Sequence, residues 1–238
     1  MMKPIIQFQE AGKQYNGKYA LQPLSLDIMA GEFISLVGSS GGGKTTMLKL
    51  INGLLLPDCG KVTVMGEDTS KVDLIALRRK IGYVIQGAAL FPHLSVAENI
   101  NYVPSLLKQK LSREELTELL KLVDLPEDML NRYPCSLSGG QQQRVGIARG
   151  LANKPSIMLM DEPFGAVDEI TRTVLQDSIE ALHKQVQTTI VFVTHNIREA
   201  LRLSDRVLII NQGVVQQLGT PTEILANPAN EYVERLLW

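Results

Sequence analysis

Gly38-Ser-Ser-Gly-Gly-Gly-Lys-Thr45 satisfies G-x-x-x-x-G-K-[ST], and the stretches on either side give that pattern its meaning. Phe33-Ile-Ser-Leu-Val37 before it reads as a buried strand, and Met47-Leu-Lys-Leu-Ile51 after it starts an apolar helix. The glycines therefore fall where a phosphate loop must turn. Glycines at 38, 41, 42 and 43 let successive backbone N–H groups point into one concavity, and the helix that follows adds the positive end of its dipole. The candidate phosphate-binding set is Gly38, Ser39, Ser40, Gly41, Gly42, Gly43, Lys44, Thr45 and Thr46. Lys44 is placed to reach the β- and γ-phosphates of a nucleotide, and the Thr45 hydroxyl to ligate Mg²⁺. The plain alternative is a Gly/Ser turn with a chance lysine.

Working outward, Pro4-Ile-Ile-Gln-Phe-Gln9 and Leu24-Ser-Leu-Asp-Ile28 alternate apolar and polar residues, which predicts antiparallel strands joined by Gly/Asn turns. Buried-type strands are expected at Ile81-Gly-Tyr-Val-Ile85, Ile157-Met-Leu-Met160, Ile190-Val-Phe-Val193 and Val207-Leu-Ile-Ile210. Helical stretches interleave them, so the fold class is α/β: a phosphate-loop NTPase core with a mostly parallel sheet, an antiparallel β-subdomain and a helical insertion. The insertion is expected over about residues 93–153, where Ser112-Arg-Glu-Glu115 forms a capping box ahead of Leu116, Leu119, Leu120 and Val123. With no internal repeat and no long linker, one composite domain over residues 1–238 is the expected organisation.

The bulk properties exclude some classes. Among 238 residues, 24 basic and 25 acidic side chains leave a net charge of −1, which gives no general surface for nucleic acid. No apolar run approaches the roughly 18–20 residues that span a bilayer. Gln7, Gln9 and Glu10 interrupt the apolar stretch a secretory signal would need, so a cytosolic location is expected. Cys59 and Cys135 have neither metal-ligand spacing nor the density of a disulfide framework, and read as incidental thiols.

Two further motifs carry chemistry. Ser156-Ile-Met-Leu-Met-Asp-Glu-Pro163 is a buried strand ending in two carboxylates, whose side chains point to opposite sides. In a phosphate-loop ATPase, Asp161 would hold Mg²⁺ through water and Glu162 would polarise the attacking water; the alternative is a solvated strand end. Leu137-Ser-Gly-Gly-Gln141 opens a helix expected over residues 142–153, so Ser138, Gly139, Gly140 and Gln141 form a second helix-terminal anion site, or else a serine cap followed by flexible glycines.

Together these motifs resemble the nucleotide-binding subunits of ATP-binding-cassette transporters, over essentially the full chain. The resemblance makes Gly38–Thr45 the phosphate loop, Gln86 the Q-loop glutamine, Leu137–Gln141 the signature, Asp161-Glu162 the second nucleotide motif, Asp168 the D-loop aspartate and His195 the switch histidine. Tyr15 matches the aromatic that stacks on adenine; Tyr19 is its rival, and either could be an ordinary aromatic of a hairpin. Gln86 is then expected to bridge Mg²⁺ and the attacking water, or else to be a loop glutamine satisfied by backbone, and His195 to donate to the γ-phosphate. Asp168 links the two sites of a dimer, with a helix N-cap as a compatible second role.

Two opposed anion sites in such a chain imply a head-to-tail homodimer, with Ser138 and Gly140 of one copy closing on the γ-phosphate held by Lys44 of the other. The implied partners are integral membrane permease subunits docking near residues 86–102, with Phe91 and His93 as contacts, and indirectly a solute-binding protein. The implied location is the cytoplasmic face of the membrane. Within the family, Leu77-Arg-Arg-Lys-Ile-Gly-Tyr-Val-Ile-Gln86, Leu90-Phe-Pro-His93, Arg132-Tyr-Pro134, Asp161-Glu-Pro-Phe-Gly165 and Asn227-Pro-Ala-Asn-Glu231 resemble quaternary-amine osmoprotectant importers, those for glycine betaine, choline, carnitine or proline betaine. Many of that group carry a pair of C-terminal CBS modules, which this chain, stopping at Trp238, is expected to lack. Ser39 and Gly42 replace Pro and Cys of relatives, and Gly165-Ala-Val replaces Ser-Ala-Leu in the D-loop; neither change removes a ligand. A cassette ATPase acting on DNA or ribosomes, and a nucleotide-binding regulator without turnover, are the competing classes.

Overall fold

β1 (Pro4–Tyr15) and β2 (Lys18–Met29) form a hairpin whose two-residue turn, Asn16-Gly17, has φ of 49° and 76°. Positive φ at both turn residues is what the twist of tightly joined antiparallel strands selects, and Asn-Gly adopts it readily. The fold comes from a computed structural model, which describes residues 3–87, 89–165 and 167–238, the Val186 side chain excepted. After the hairpin come β3 (Phe33–Val37), α1 (Lys44–Ile51), β4 (Cys59–Val64), β5 (Glu67–Asp68) and α2 (Leu74–Arg79). Then follow β6 (Ile81–Val84), α3 (Val96–Ile100), α4 (Tyr102–Leu106), α5 (Arg113–Leu122), two 3-10 turns, α6 (Gly139–Leu151), β7 (Ile157–Asp161) and α7 (Glu169–Val186). The chain closes with β8 (Thr189–Thr194), α8 (Ile197–Leu203), β9 (Arg206–Asn211), β10 (Val214–Gly219), α9 (Pro221–Ala226) and α10 (Glu231–Leu237).

The chain divides into two compact units, one of residues 1–78 with 187–238 and one of residues 79–186. In the first, β1 is the centre of an antiparallel sheet in the order β2-β1-β4-β5, with Ile6, Phe8, Leu26, Ile28, Val62 and Val64 buried on its inner face. A second sheet places β3 between parallel partners β8 and β9, with β10 antiparallel on the outside of β9. All five residues of β3 are buried, as a strand with partners on both sides requires. Val37, Val207 and Ile209 of this sheet pack against Ile197 and Ala200 of α8, Ile224 of α9 and Val233 of α10.

In the second unit, β6 and β7 are a parallel pair, Ile81 opposite Ile157 and Val84 opposite Met160. Helix α6 lies close on them. A side chain on Gly150 would come within 2.8 Å of Met158 Cε and 3.1 Å of Val84 Cγ2. The expected capping box at Ser112 is present on α5, which buries Leu116 and Leu120. Residues 93–153, the expected insertion, lie within this unit. The helix expected over residues 142–153 begins earlier, at Gly139, because Ser138 caps it and takes both glycines into the first turn. First-turn N–H groups have no intrahelical acceptor, so glycine weakens a helix least there.

Candidate nucleotide site

The parallel register brings several candidates in the first unit to one strand end. Val37 pairs with Thr194 on one side and Ile209 on the other, so Gly38 and the exposed His195 leave adjacent strands at the same edge. The loop between β3 and α1 is held against backbone. A Cβ on Gly38 (φ 156°) would lie 1.8 Å from the Ile210 carbonyl oxygen, and one on Gly43 (φ 100°) 2.4 Å from that of Ala20. Gly213 N donates to Gly42 O at 3.0 Å, Ser39 Oγ to Asn211 Oδ1 at 3.1 Å, and Ser39 N to the Tyr232 hydroxyl at 3.1 Å.

Lys44 is buried and donates from Nζ to the Gly38 and Ser39 carbonyls, both at 2.8 Å. Its ammonium is thus folded over the loop that a polyphosphate would enter. Helices α3, α5, α6 and α9 all start with a complete capping box, whereas α1 has Gly43 at its cap position and no side-chain cap. A helix left without a cap, beginning at a loop of positive-φ glycines, presents backbone donors and dipole to an anion. Thr45 and Thr46 are half-buried in its first turn. Tyr15 and Tyr19 flank the hairpin turn, 49% and 40% exposed.

The second unit groups another set of candidates. Because Val84 lies opposite Met160, the next residues on that face are Gln86 and Glu162, and Gln86 Nε2 donates to Glu162 Oε2 at 3.0 Å. Glu162 has φ of 47°, a left-handed conformation that costs a non-glycine residue on the order of 1 kcal/mol or more. Asp161 is buried on the other face, the face of Tyr83, whose hydroxyl is pushed up to about 12 by burial and by the Asp161 charge.

Ser138 and Gln141 cap α6 reciprocally: Ser138 Oγ accepts from Gln141 N at 3.2 Å, and Gln141 Oε1 accepts from Ser138 N at 2.9 Å. A capping hydroxyl accepts one bond and keeps its own proton to donate. Gly139 has open space where a side chain would stand, and Gly140 follows it in the first turn. Asp168 is exposed and caps α7, accepting from Thr171 N at 3.0 Å; backbone and side-chain hydrogen bonds from Thr171 hold its carboxyl below the usual range. Of the D-loop substitutions, Ala166 lies outside the described residues.

No local pattern in the sequence marks what organises residues 89–102. Asn99, fully buried, accepts from Phe91 N and donates to the carbonyls of Phe91, Leu94 and Ser95. Arg149 donates to Ala89 O at 2.9 Å and lies 5.8 Å from the Phe91 ring centre, and Phe91 stacks on Tyr102 with centroids 4.5 Å apart. His93 is exposed, edge-on to Phe91.

No cluster of three His, Cys, Asp or Glu side chains that could cage a metal occurs among the described residues. Mg²⁺ carried by a nucleotide asks for less: one or two carboxylates, with phosphates and water completing the octahedron. Within the second unit, the buried Asp161 carboxylate and the Gln86 amide oxygen are donors of that kind, and in the first unit the Thr45 hydroxyl is another.

A family description given as "ABC transporter" matches residues 21–165, more than half the chain. The chain belongs to the ABC transporter family. It is 50% identical over 236 residues to the glycine betaine/carnitine/choline transport ATP-binding protein OpuCA of Bacillus subtilis, covering 98% of this chain and 62% of that protein. It is 44% identical over 233 residues to the glycine betaine uptake system ATP-binding protein YehX of Escherichia coli, covering 97% of this chain and 76% of that one. Among solved structures, the ATP-binding cassette MJ0796, a dimer in a post-hydrolysis state bound to ADP and Pi, superposes with a TM-score of 0.84 at 36% identity, covering 91% of this chain and 98% of that one. This cassette spans about three fifths of the length of its Bacillus subtilis relatives. Among its described residues, no helix is long and apolar enough to cross a membrane.

Proposed function

We propose that this ABC cassette is the ATPase subunit of an importer for quaternary amines of the betaine, choline and carnitine type. The observation that carries the reading is the uncapped start of α1, where Lys44 is drawn over a glycine loop fixed against backbone. That arrangement is a preorganised receptor for a triphosphate. In this reading Gly38 to Thr46 cradle the phosphates, Thr45 and Asp161 hold Mg²⁺, Gln86 spans metal and water, Glu162 draws a proton from the attacking water and His195 donates to the γ-phosphate. Mg²⁺, when bound, neutralises part of the phosphate charge. Tyr15 stacks on the base.

Two copies close head to tail, Ser138 and Gly140 of one gripping the γ-phosphate seated in the other, with Asp168 near the junction. The fold shared with dimeric MJ0796 supports this pairing. ATP favours the closed dimer because the γ-phosphate gains contacts only there, and hydrolysis removes that difference. The segment around Phe91 and His93, braced by Asn99 and Arg149, receives a helix of the membrane permease at the cytoplasmic face, and the permease takes solute from a binding protein. The relatives named for glycine betaine, carnitine and choline support the solute class.

The test is co-purification with the permease from membranes, reconstitution, and ATPase measurement with each solute and its binding protein. Stimulation by glycine betaine, choline or carnitine is expected; stimulation only by an unrelated solute overturns the solute class, and no turnover under any condition overturns the enzyme.

A further inference from the structure

Asp58 lies immediately before β4 and fastens the end of β1 by three hydrogen bonds. Its backbone N donates to Gly12 O at 2.9 Å, its Oδ2 accepts from Gln14 N at 2.7 Å, and its Oδ1 accepts from Lys13 Nζ at 2.9 Å. The Lys13 ammonium, held there, stands 5.9 Å from the centre of the Tyr15 ring. Lys13 is well packed, its side chain 15% exposed, while Tyr15 is 49% exposed.

This geometry treats the two faces of the ring differently. A cation within about 6 Å of a ring centroid is attracted to its π-face, so the face toward Lys13 is taken. The opposite face is left to an incoming base. Tyr15 is the last residue of β1 before an exposed two-residue turn, and the Asp58 clip holds the strand there on the side away from β2. Tyr19 stands on β2, opposite Gln14, and has no such anchor among the described bonds.

We propose that Asp58 and Lys13 are positioning residues for the nucleotide base: they fix Tyr15 as a one-sided stacking platform, which distinguishes it from Tyr19. The inference deepens the nucleotide reading and rests on it. Nothing in the clip reads hydrogen-bonding edges, so the platform ranks bases by stacking area and takes ATP and GTP alike before the pyrimidine triphosphates.

The experiment measures equilibrium binding of Mg·ATP and of Mg·tripolyphosphate to the full chain, with melting temperature and the KM and kcat of the permease-bound enzyme, for Tyr15→Ala, Tyr19→Ala, Asp58→Asn, Lys13→Met and Lys13→Arg. Tyr15→Ala should weaken ATP about tenfold or more, the loss expected for a stacked base, and leave tripolyphosphate binding unchanged. Asp58→Asn and Lys13→Met should each weaken ATP roughly three- to tenfold and raise KM with kcat retained, again sparing tripolyphosphate, while Lys13→Arg restores the parental value. If Tyr15→Ala weakens ATP but Asp58→Asn and Lys13→Met do not, or if they weaken both ligands equally, the positioning roles are overturned. If Tyr15→Ala leaves ATP binding unchanged, the base platform itself is wrong at Tyr15, and a loss in Tyr19→Ala would transfer it to Tyr19.

Discussion

The Gln86 amide donates to the Glu162 carboxylate across the ends of two parallel strands, at 3.0 Å. The bond joins the end of β6, from which the chain runs on to Phe91, to the residue proposed above to act on water. In the proposed mechanism the amide oxygen of Gln86 turns to the metal while its nitrogen holds the Glu162 carboxylate. Glu162→Gln should therefore keep the amide-to-side-chain contact and ATP affinity while slowing hydrolysis on the order of 10²–10⁴-fold, the usual worth of a general base. Size-exclusion chromatography with Mg·ATP should show the dimer accumulating; turnover at the parental rate would remove Glu162 from the mechanism.

Ser138 caps α6, and in the proposed dimer it has a second, separable duty. Ser138→Ala removes the cap and should lower stability by about 1 kcal/mol in urea unfolding. Ser138→Asp keeps the cap, because a carboxylate accepts from Gln141 N equally well, and stability should stay near parental. Its charge would repel a γ-phosphate, so ATP-driven dimerisation should be lost in this stable variant. Dimerisation that survives would show that α6 does not face the neighbouring nucleotide.

Two glycines of the motifs should respond oppositely to the same methyl group. Gly38→Ala drives a Cβ onto the Ile210 carbonyl and should destabilise the fold by several kcal/mol or prevent its accumulation. Gly139→Ala meets open space and should shift stability by no more than about 1 kcal/mol, yet block closure of the dimer on ATP. Thermal melts and ATP-dependent cross-linking, run in parallel on both variants, check the contrast.

Acid should destabilise the protein through identifiable carboxylates. Asp58, Glu98 and Glu223 are held below their usual range chiefly by backbone hydrogen bonds from Gln14, Ser95 and Thr220, and Asp68 chiefly by the Ser70 hydroxyl. A carboxyl lowered in the folded state adds stability that is present above its unfolded value of about 4 and is lost as pH falls through the folded value. The melting temperature should thus be insensitive to these groups above about pH 5 and fall steadily below pH 4. The double variant Glu98→Gln and Glu223→Gln should show a shallower decline over that acid range.

The elements legible in the sequence are those whose signal is local. Phe33–Val37 is apolar throughout and abuts the glycines, and the structure ends β3 where the motif begins. Ser112 and Glu115 announce their own helix. Strands β4 and β10 carried no such mark: Cys59-Gly-Lys interrupts the first, and the second is the outer strand of its sheet, with Val214, Val215 and Leu218 partly exposed. The structure starts α6 at Gly139, ahead of the start expected at 142, because glycine reads as a breaker while here the Ser138 cap makes it the first turn. The bracing of Tyr15 by Asp58 joins residues more than forty positions apart, a relation that periodicity does not record.

Gly31, just ahead of β3, donates to the Thr189 hydroxyl at the start of β8 across a sequence separation of 158. On the ribosome, an emerging Phe33–Val37 must wait for β8 and β9, in the last quarter of synthesis, before its observed partners exist. Contacts this distant form slowly, and an apolar strand kept waiting invites aggregation. The proposed phosphate receptor is consequently among the final parts of the molecule to be born, and a truncated translation product that lacks β8 would emerge without the strand that flanks it.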